Sequence, residues 1–270
     1  MPLRHPVNFD ADWLRPEWHL AGVHALMTTR RGGFSAAPFD SINLQEGRGD
    51  GLGDDAAAVA QNQARLQAAV GVPVVRLNQV HGARVVRLTA ADAAPGASRY
   101  DADACVTTEL GVACSVQVAD CLPVLLAAPG AVAAAHAGWR GLAAGVLEAT
   151  LASLCGASGC RPDQVQAWLG PCIGPRRFEV GVDVVQAFGG DPRATQPAPE
   201  AALQASRFVP LIAGKWLADL PGLARDRLSA CGVQAISGGS WCTATDASRF
   251  FSFRRDGVTG RMVAVIWLGD

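Results

Sequence analysis

The sequence predicts an α+β protein, with short strands and helices in a single domain that spans residues 1–270. Half of the 270 residues are hydrophobic and only 17% are charged, which is typical of one soluble unit with a large core. Short apolar runs separated by proline and glycine are typical of strands. Alanine- and leucine-rich stretches with helical spacing lie between those runs, so both kinds of element are expected.

The charge balance argues against two classes of partner. With 23 basic and 24 acidic residues spread along the chain, there is no basic surface for nucleic acid or for an anionic membrane. No apolar run reaches 18 residues without a turn signal or a charge, and no signal peptide precedes Phe9. We therefore expect a cytoplasmic protein whose eight cysteines are reduced. The sequence leaves its oligomeric state open.

The stretch 101–141 organises the chain, because it contains a predicted hairpin. Leu122–Ala128 and residues 131–136 are apolar runs on either side of a Pro129-Gly130 turn. Pro123 also favours an extended conformation at Leu122, so the first arm begins there. The run 112–118 is apolar and β-branched and predicts the preceding strand.

The hairpin pairing brings a cysteine close to a histidine. If Ala128 faces Ala131, then Pro123 faces His136. Cys121 lies two residues before Pro123 and points to the same face as His136, because side chains alternate with period two. Such diagonal neighbours lie roughly 7 to 8 Å apart, close enough to share one ion.

Two further patterns precede the hairpin. Ala56–Val70 predicts a helix, with two acids before its start and Gly71 as its stop. Residues 72–80 predict a strand that delivers Gln79 and His81 into a turn at Gly82. A lone histidine at such a position is usually structural, so the sequence alone leaves the role of His81 open.

Two arginines lie where an anion could bind. The amphipathic spacing after Gly141 predicts a helix whose N-terminus points at the hairpin, with Arg140 immediately before it. Arg30 lies in a loop with paired glycines that could wrap a phosphate or carboxylate. The alternative is that Arg140 is an ordinary surface arginine and that the loop with Arg30 is an ordinary turn.

The later part of the chain carries three weaker predictions. Residues 189–205 are rich in Pro, Ala and Gly and predict a mobile surface segment, and 217–230 predict a helix. Asp256-Gly257 predicts a turn between two strands, the second of which, 263–268, is apolar enough to be central in a sheet.

The histidine count limits the chemistry. Of five histidines, three lie in or near the N-terminal arm, which leaves His81, His136 and Cys121 as a Cys/His cluster. Two imidazoles and one thiolate match an open catalytic zinc site, and they also resemble a trigonal copper site. Alternatively, Cys121 is a nucleophile with His136 as its base, and no metal is needed. Chemistry alone does not separate these readings.

Six segments resemble the YfiH-like family that is named for a multicopper polyphenol oxidase or laccase domain and is also described as purine nucleoside phosphorylases. In chain order they are TTRRGGFS with SINL, NQVHG, ADCLPV, AHAGWRG, GPCIGP with FEVG, and FFSFRRDGVTGR. Together they extend over most of the chain. The segment 45–53 is richer in glycine and charge than the family pattern, and Phe253 stands where family members often carry tyrosine.

The resemblance implies both a fold and an activity. The implied fold is a mixed β-sandwich core flanked by helices, similar to a deamidating toxin domain with a Cys-His pair. The implied site is a zinc or copper ion on His81, Cys121 and His136. The implied reactions are phosphorolysis of adenosine, inosine and 5'-methylthioadenosine, together with adenosine deamination. Arg30 and Arg140 are then expected to hold phosphate, and Asn43 and Gln79 to hydrogen-bond the ribose or the base.

Three alternatives remain at this point. A metal-free cysteine hydrolase, acting for example on cell-wall precursors, would use Cys121 as the nucleophile. A copper-dependent polyphenol oxidase is disfavoured, because a four-copper enzyme needs roughly ten histidine ligands. A non-enzymatic nucleoside-binding or partner-binding domain with structural zinc would require a fourth ligand such as Cys172 or Cys242.

Overall fold

The computed structural model describes residues 12–46, 53–94, 96–191, 193, 206–212 and 214–269. Within them the strands are β1 Val23–Met27, β2 Val74–Val75, β3 Val85–Arg87, β4 Ala104–Thr107, β5 Ala113–Val118, β6 Leu122–Ala128, β7 Ala131–Ala137, β8 Gln166–Leu169, β9 Glu179–Val180, β10 Phe208–Pro210, β11 Trp216–Ala218, β12 Ala235–Gly238 and β13 Met262–Leu268. The α-helices are α1 Ala56–Val70, α2 Trp139–Ala143, α3 Val146–Ser158, α4 Val182–Ala187, α5 Leu220–Ala230 and α6 Phe253–Asp256, and Ala90–Ala93 and Pro162–Gln164 form 3₁₀ turns.

The strands form two large mixed sheets and one small sheet. The six-stranded sheet has the order β12-β8-β6-β7-β4-β3, and the four-stranded sheet has the order β1-β13-β5-β2. Both contain antiparallel pairs, and parallel strands lie at both edges of the six-stranded sheet and at one edge of the four-stranded sheet. A three-stranded sheet, β10-β11-β9, accompanies them.

The two large sheets pack face to face, and helices cover their outer faces. Leu125 of β6 shares one buried core with Ile266 of β13, so this core lies between the sheets. The alternate residue Leu126 packs in a second core with α3 and α5. A third core joins α1 to the outer face of the four-stranded sheet, with Leu66 against Val265. The α+β sandwich flanked by helices is therefore confirmed.

The predicted hairpin is confirmed in its register. Ala128 pairs with Ala131, and Pro123 pairs with His136, as counted from the Pro129-Gly130 turn. The predicted helix Ala56–Val70 is confirmed as well. The Asp55 carboxylate accepts the Ala57 N–H at its N-terminus, and Gly71 ends it at a φ of 77°.

The predicted strand 72–80 is wrong in its extent, because only Val74–Val75 pairs with β5. The Ser115 hydroxyl donates to the Val75 carbonyl, and the Asn78 backbone then bridges to Asp101 rather than continuing along β5. The chain thereby leaves the four-stranded sheet and crosses to the edge of the other one. This crossing carries His81 to the hairpin.

The single helix predicted after Gly141 is two helices, α2 and α3. Gly145 separates them with a φ of 90°, a left-handed conformation that interrupts the helix. Arg140 lies inside the five-residue α2 instead of preceding a long helix. The long-helix N-terminus expected beside Arg140 is therefore absent there.

Two other predictions are corrected near the C-terminus. The helix predicted over 217–230 begins only at Leu220, because Asp219 caps it by accepting the Gly222 N–H and Trp216–Ala218 is strand β11. The arm before Asp256-Gly257 is the short helix α6, whose N-terminus is capped by the Ser252 hydroxyl. The other arm, β13, lies between β1 and β5 and is central in its sheet as predicted.

The structure has no helix in its described part that is long and apolar enough to cross a membrane. Most of the predicted surface segment 189–205 lies outside the described residues, as do residues 1–11 of the N-terminal arm and residues 47–52.

Candidate active site

The side chains of His81, Cys121 and His136 converge into one group, called here the His–Cys–His cluster. Their possible ligand atoms all lie within 4.8 Å of one another. Cys121 Sγ is 3.8 Å from His81 Nε2, and the two imidazole rings meet edge to face with centroids 4.8 Å apart. His136 is buried, Cys121 is half-buried and His81 is exposed, so the cluster opens to solvent on the His81 side.

The buried carboxylate of Asp103 holds the loop that carries His81. It accepts the main-chain N–H groups of Val80, His81 and Gly82 at 3.2, 2.9 and 2.7 Å. His81 itself has a φ of 61°, a left-handed conformation that is uncommon for residues other than glycine. The three hydrogen bonds fix this loop conformation and aim the imidazole at Cys121.

The same carboxylate orients the second imidazole. Asp103 Oδ1 lies 2.8 Å from His136 Nδ1, and the His136 N–H donates to the Asp103 carbonyl at 2.7 Å. With Nδ1 engaged, Nε2 is the nitrogen left for a ligand or a proton acceptor. Sequence reasoning missed Asp103. Its one signal was a carboxylate two residues before Cys105, directly before an apolar strand.

The electrostatics of the cluster favour a charged thiolate. Burial raises the pKa of Cys121, but the charge of His136 and hydrogen bonds with both histidines outweigh burial and lower that pKa to about 6. Burial lowers the pKa of His136, whereas the charge of Cys121 and the hydrogen bond with Asp103 raise it to about 9. At neutral pH, without a metal, the cluster therefore contains a thiolate beside an imidazolium.

Gly138 lets the cluster close up. A Cβ atom placed on Gly138 would lie 3.0 Å from Cys121 Sγ and 3.1 Å from His81 Cδ2. The glycine has an ordinary φ of −63°, so it is required for space and not for backbone conformation. Gly138 is the residue immediately before α2, which begins with Trp139 and Arg140.

Two predicted substrate residues make internal contacts. The Arg30 guanidinium donates to the carbonyls of Asp40 and Ala247 at 2.9 and 3.0 Å and pairs with the Asp40 carboxylate at 3.1 Å. The buried Asn43 amide donates to Asp54 and accepts the Arg261 N–H. These contacts tie loops together, and the predicted substrate roles of both residues stay predictions.

The other two predicted substrate residues differ from each other. The Gln79 amide donates to the Gln117 carbonyl at 2.8 Å and accepts the Gln117 N–H at 2.7 Å. Both groups of the amide are therefore bonded to the backbone of β5. Arg140 is exposed, and its guanidinium lies 4.4 Å from the Trp139 ring centroid. Within the described ranges Arg140 has no carboxylate partner, so its charge is available to an anion.

The donor set fits a metal ion. Two imidazoles and a thiolate are ligands that zinc and copper share, and a carboxylate behind a ligating histidine is the usual outer partner. Neither Cys172 nor Cys242 belongs to the group, so the described residues offer three ligands and leave the exposed side open. An open three-ligand set is typical of catalytic rather than structural zinc.

A family model described as multi-copper polyphenol oxidoreductase laccase matches residues 24–269. The chain is also similar to a purine nucleoside phosphorylase of Pseudomonas aeruginosa, with 46% identity over 96% of this chain and 99% of the relative. It is 46% identical to the purine nucleoside phosphorylase YfiH of Escherichia coli, over 94% of this chain and 97% of that protein.

Solved structures resemble this fold over nearly its whole length. A Neisseria meningitidis protein superposes with a TM-score of 0.81 and 45% identity, covering 96% of this chain and all of the other. YlmD from Geobacillus stearothermophilus superposes with a TM-score of 0.82 and 33% identity, covering 96% of both chains.

Proposed function

This chain belongs to the family described as multi-copper polyphenol oxidoreductase laccase, and from that premise we propose that it is a purine nucleoside phosphorylase. Its proposed substrates are adenosine, inosine and 5'-methylthioadenosine with inorganic phosphate. The names of the relatives with 46% identity support the phosphorylase activity. We place the enzyme in the cytoplasm, where nucleosides and phosphate are both available.

The observation that carries the proposal is the open His–Cys–His cluster with a buried carboxylate behind it. Cys121 Sγ and His81 Nε2 are 3.8 Å apart, and Asp103 fixes His136 from the far side. We propose zinc as the native metal, held by His81, Cys121 and His136, with copper as the alternative. Bound zinc would supply a Lewis acid and a water of lowered pKa for deamination of adenosine.

Phosphorolysis requires a group that binds phosphate in addition to the His–Cys–His cluster. In this reaction a phosphate oxygen bonds to ribose C1', the bond from C1' to the base nitrogen breaks, and the base takes up a proton. Arg140 is exposed and pairs with no carboxylate in the described part of the chain, so it is the first candidate to hold phosphate. Because Arg30 is engaged with Asp40, we rank it second.

Deamination of adenosine requires a water molecule next to the ring carbon that carries the exocyclic amine. In the proposed reaction a water oxygen bonds to that carbon and ammonia leaves. Asp103 holds His136 through Nδ1, so Nε2 is the nitrogen that would face the metal, and the carboxylate keeps the ring in that orientation. The opening beside exposed His81 is where the purine would enter.

The first experiment measures base release from the three nucleosides by the purified protein, with and without phosphate, alongside elemental analysis. We expect phosphate-dependent release of the base, formation of ribose 1-phosphate or its methylthio analogue, and about one zinc per chain. Release that ignores phosphate would contradict the phosphorylase assignment. Ammonia production from adenosine is measured in the same samples and tests deamination separately.

Variants of the cluster connect the activity to the site. Cys121→Ala and His136→Ala should abolish both activities while circular dichroism and thermal unfolding stay close to the parent. Cys105→Ala is the matched control, because Cys105 is a buried cysteine outside the cluster. Unchanged turnover in Cys121→Ala would remove the cluster from the mechanism.

A cysteine hydrolase is the second candidate, and one geometric feature favours it. Cys121, His136 and Asp103 form a series of nucleophile, base and orienting acid, with 2.8 Å between the last two side chains. This function predicts activity that survives chelation and is lost on alkylation of Cys121. The phosphorylase proposal predicts that chelation alone abolishes turnover and that added zinc restores it.

Polyphenol oxidation is the third candidate, since the matching family model carries that description. Within the described residues, one three-residue group is arranged to bind a metal, which is too few ligands for a four-copper centre. An assay of phenol oxidation with added copper tests this directly. We expect no turnover above the Cys121→Ala background.

A further inference from the structure

Asp120 precedes Cys121 and has an unusual backbone conformation. Its φ is 90°, and among the described residues other than glycine only His81 shares a positive φ. Such conformations persist only where the surroundings impose them, and they concentrate at functional sites. Both of these residues lie at the His–Cys–His cluster, one within it and one adjacent to it.

Three segments that are distant in sequence hold Asp120. Its carboxylate accepts the Thr243 hydroxyl at 2.5 Å through Oδ1 and the Arg254 N–H at 2.6 Å through Oδ2. Its carbonyl accepts the Ile173 N–H at 2.9 Å. The residue is thereby fixed to the loop after β8, to the loop after β12 and to helix α6.

The partners of Asp120 are themselves firmly placed. Thr243 is fully buried, and its N–H donates to the Cys172 carbonyl at 2.9 Å. Ile173 is 2% exposed. Because these groups cannot shift without disturbing the core, they impose one backbone direction on Asp120. That direction sets where the next side chain, Cys121, points.

We propose that Asp120 is a positioning residue that holds Cys121 Sγ between the imidazoles of His81 and His136. It acts through the conformation and anchoring of the chain and need not touch a substrate. This inference rests on the proposed function only in treating Cys121 as a zinc ligand. The position of the thiol can also be tested without any metal.

Two variants of Asp120 and one control isolate the contribution of the carboxylate contacts. Asp120→Gly tolerates the positive φ but removes both carboxylate contacts. Asp120→Asn tolerates the positive φ too, and its amide can accept from Arg254 and donate to Thr243, so it is the conservative variant. Asp163→Gly is a control for loss of an exposed carboxylate, because Asp163 pairs on the surface with Arg161.

The metal-free proteins are titrated with Zn²⁺ against a chromophoric chelator, and thermal unfolding is measured in parallel. We expect Asp120→Gly to bind Zn²⁺ at least tenfold more weakly, with Asp120→Asn and Asp163→Gly within threefold of the parent. A lower melting temperature with unchanged Zn²⁺ affinity would show a purely structural role and overturn the proposal.

Alkylation of Cys121 by iodoacetamide in the metal-free proteins is the second readout. We expect Asp120→Gly to change the alkylation rate at least threefold and Asp120→Asn to leave it unchanged. If the parent binds no Zn²⁺, the proposed metal fails, and the alkylation rates still decide the role of Asp120. Equal rates in all variants would overturn that role.

A separate observation concerns two thiols at the C-terminal end of α3. The Sγ atoms of Cys155 and Cys160 are 3.3 Å apart, and both residues are half-buried free cysteines. Gly159, with a φ of 72°, turns the chain after the helix and brings the second thiol back to the first. Burial, and then the hydrogen bond and charge of Cys160, raise the pKa of Cys155 to about 12.

We infer that Cys155 and Cys160 form a dithiol site that is oxidised by low-molecular-weight disulfides. Cys160 loses its proton to solvent, and its thiolate attacks the external disulfide, forms a mixed disulfide and releases one thiolate. Cys155 then loses its proton to solvent and attacks the Cys160 sulfur, which releases the second thiolate. The two protein thiols become one disulfide, and the external disulfide is reduced to two thiols.

The test incubates the full chain with excess oxidised glutathione and maps its peptides by mass spectrometry. We expect the peptide that carries both cysteines to lose two hydrogen atoms and to hold no glutathione. In Cys155→Ser the mixed disulfide at Cys160 should accumulate instead. Cys231, another half-buried free cysteine, is the internal control and should form at most a glutathione adduct. A stable adduct at Cys160 in the parent, or no reaction there, would overturn the inference.

Discussion

Asp103 Oδ1 lies 2.8 Å from His136 Nδ1, while the same carboxylate accepts the N–H groups of the loop that carries His81. One buried side chain therefore positions both imidazoles of the cluster. A carboxylate behind a ligating histidine sets which nitrogen faces the metal and raises its basicity. The geometry makes Asp103 as important to the site as the ligands themselves.

Replacing Asp103 should damage both the site and the fold. Asp103→Asn is expected to weaken Zn²⁺ binding by roughly 10- to 100-fold, as outer partners of metal ligands do. Asp103→Ala leaves three main-chain N–H groups without their acceptor and should cost at least about 3 kcal/mol of unfolding free energy. Zinc titration and urea unfolding measure the two effects. Asp101→Asn, at an exposed aspartate nearby, should change zinc binding little, and an equal loss there would show that the effect is general.

Adding a side chain at Gly138 should lower activity more than stability. In Gly138→Ala the new methyl would lie 3.0 Å from Cys121 Sγ and 3.1 Å from the His81 ring, so the ligands must move by a few tenths of an ångström. We expect kcat/KM to fall by about tenfold with a small change in melting temperature, since misplacement of this size affects catalysis before stability.

Gly156→Ala is the matched control for that substitution. Gly156 lies in α3 with no atom within 4 Å of an added Cβ, so the change should raise stability by up to about 1 kcal/mol through helix propensity. Its activity should equal that of the parent. If Gly138→Ala retained full activity as well, the close packing around the cluster would have no functional role.

Arg140 and Arg30 should respond differently to removal of charge. Arg140→Ala deletes an arginine that has no carboxylate partner among the described residues, and it is expected to raise the KM for phosphate by about tenfold, the value of one charge-assisted contact. Arg30→Ala breaks the contacts with Asp40 and Ala247 and should lower stability by roughly 1 to 3 kcal/mol, with the phosphate KM within twofold. The reverse pattern, in which KM rises only in Arg30→Ala, would make Arg30 the phosphate grip.

The metal-free cluster should give Cys121 a distinctive pH profile. Because the pKa of Cys121 is lowered to about 6, its alkylation rate should be low below pH 6, rise through pH 6 and be level by pH 7. An ordinary thiol would still be gaining reactivity above pH 8. The profile is obtained as the difference between the parent and Cys121→Ala, which subtracts the other thiols.

His136→Ala tests the cause of that profile. Without the imidazolium, whose pKa is raised to about 9, the midpoint for Cys121 should move upward because burial then dominates. A midpoint that stays near pH 6 would mean that another group lowers the thiol pKa.

The sequence by itself determined the local elements and one half of the site. The Pro129-Gly130 turn and the alternation of side chains fixed the register that pairs Pro123 with His136. The capping residues set the two ends of α1. Both features were predictable because turns and caps depend on neighbours only a few residues apart. Motif resemblance then pointed to His81, which strand counting could not place.

Only the tertiary structure decided how distant loops complete the site. Asp103 reaches His81 across 22 residues, and Asp120 meets Thr243 across 123. No local pattern encodes such contacts, because they depend on how the two sheets pack. Likewise, Asn43 and Gln79 looked available in sequence, yet both amides are used inside the fold. Buried polar groups must find partners, and which partners they find is settled by packing and not by sequence spacing.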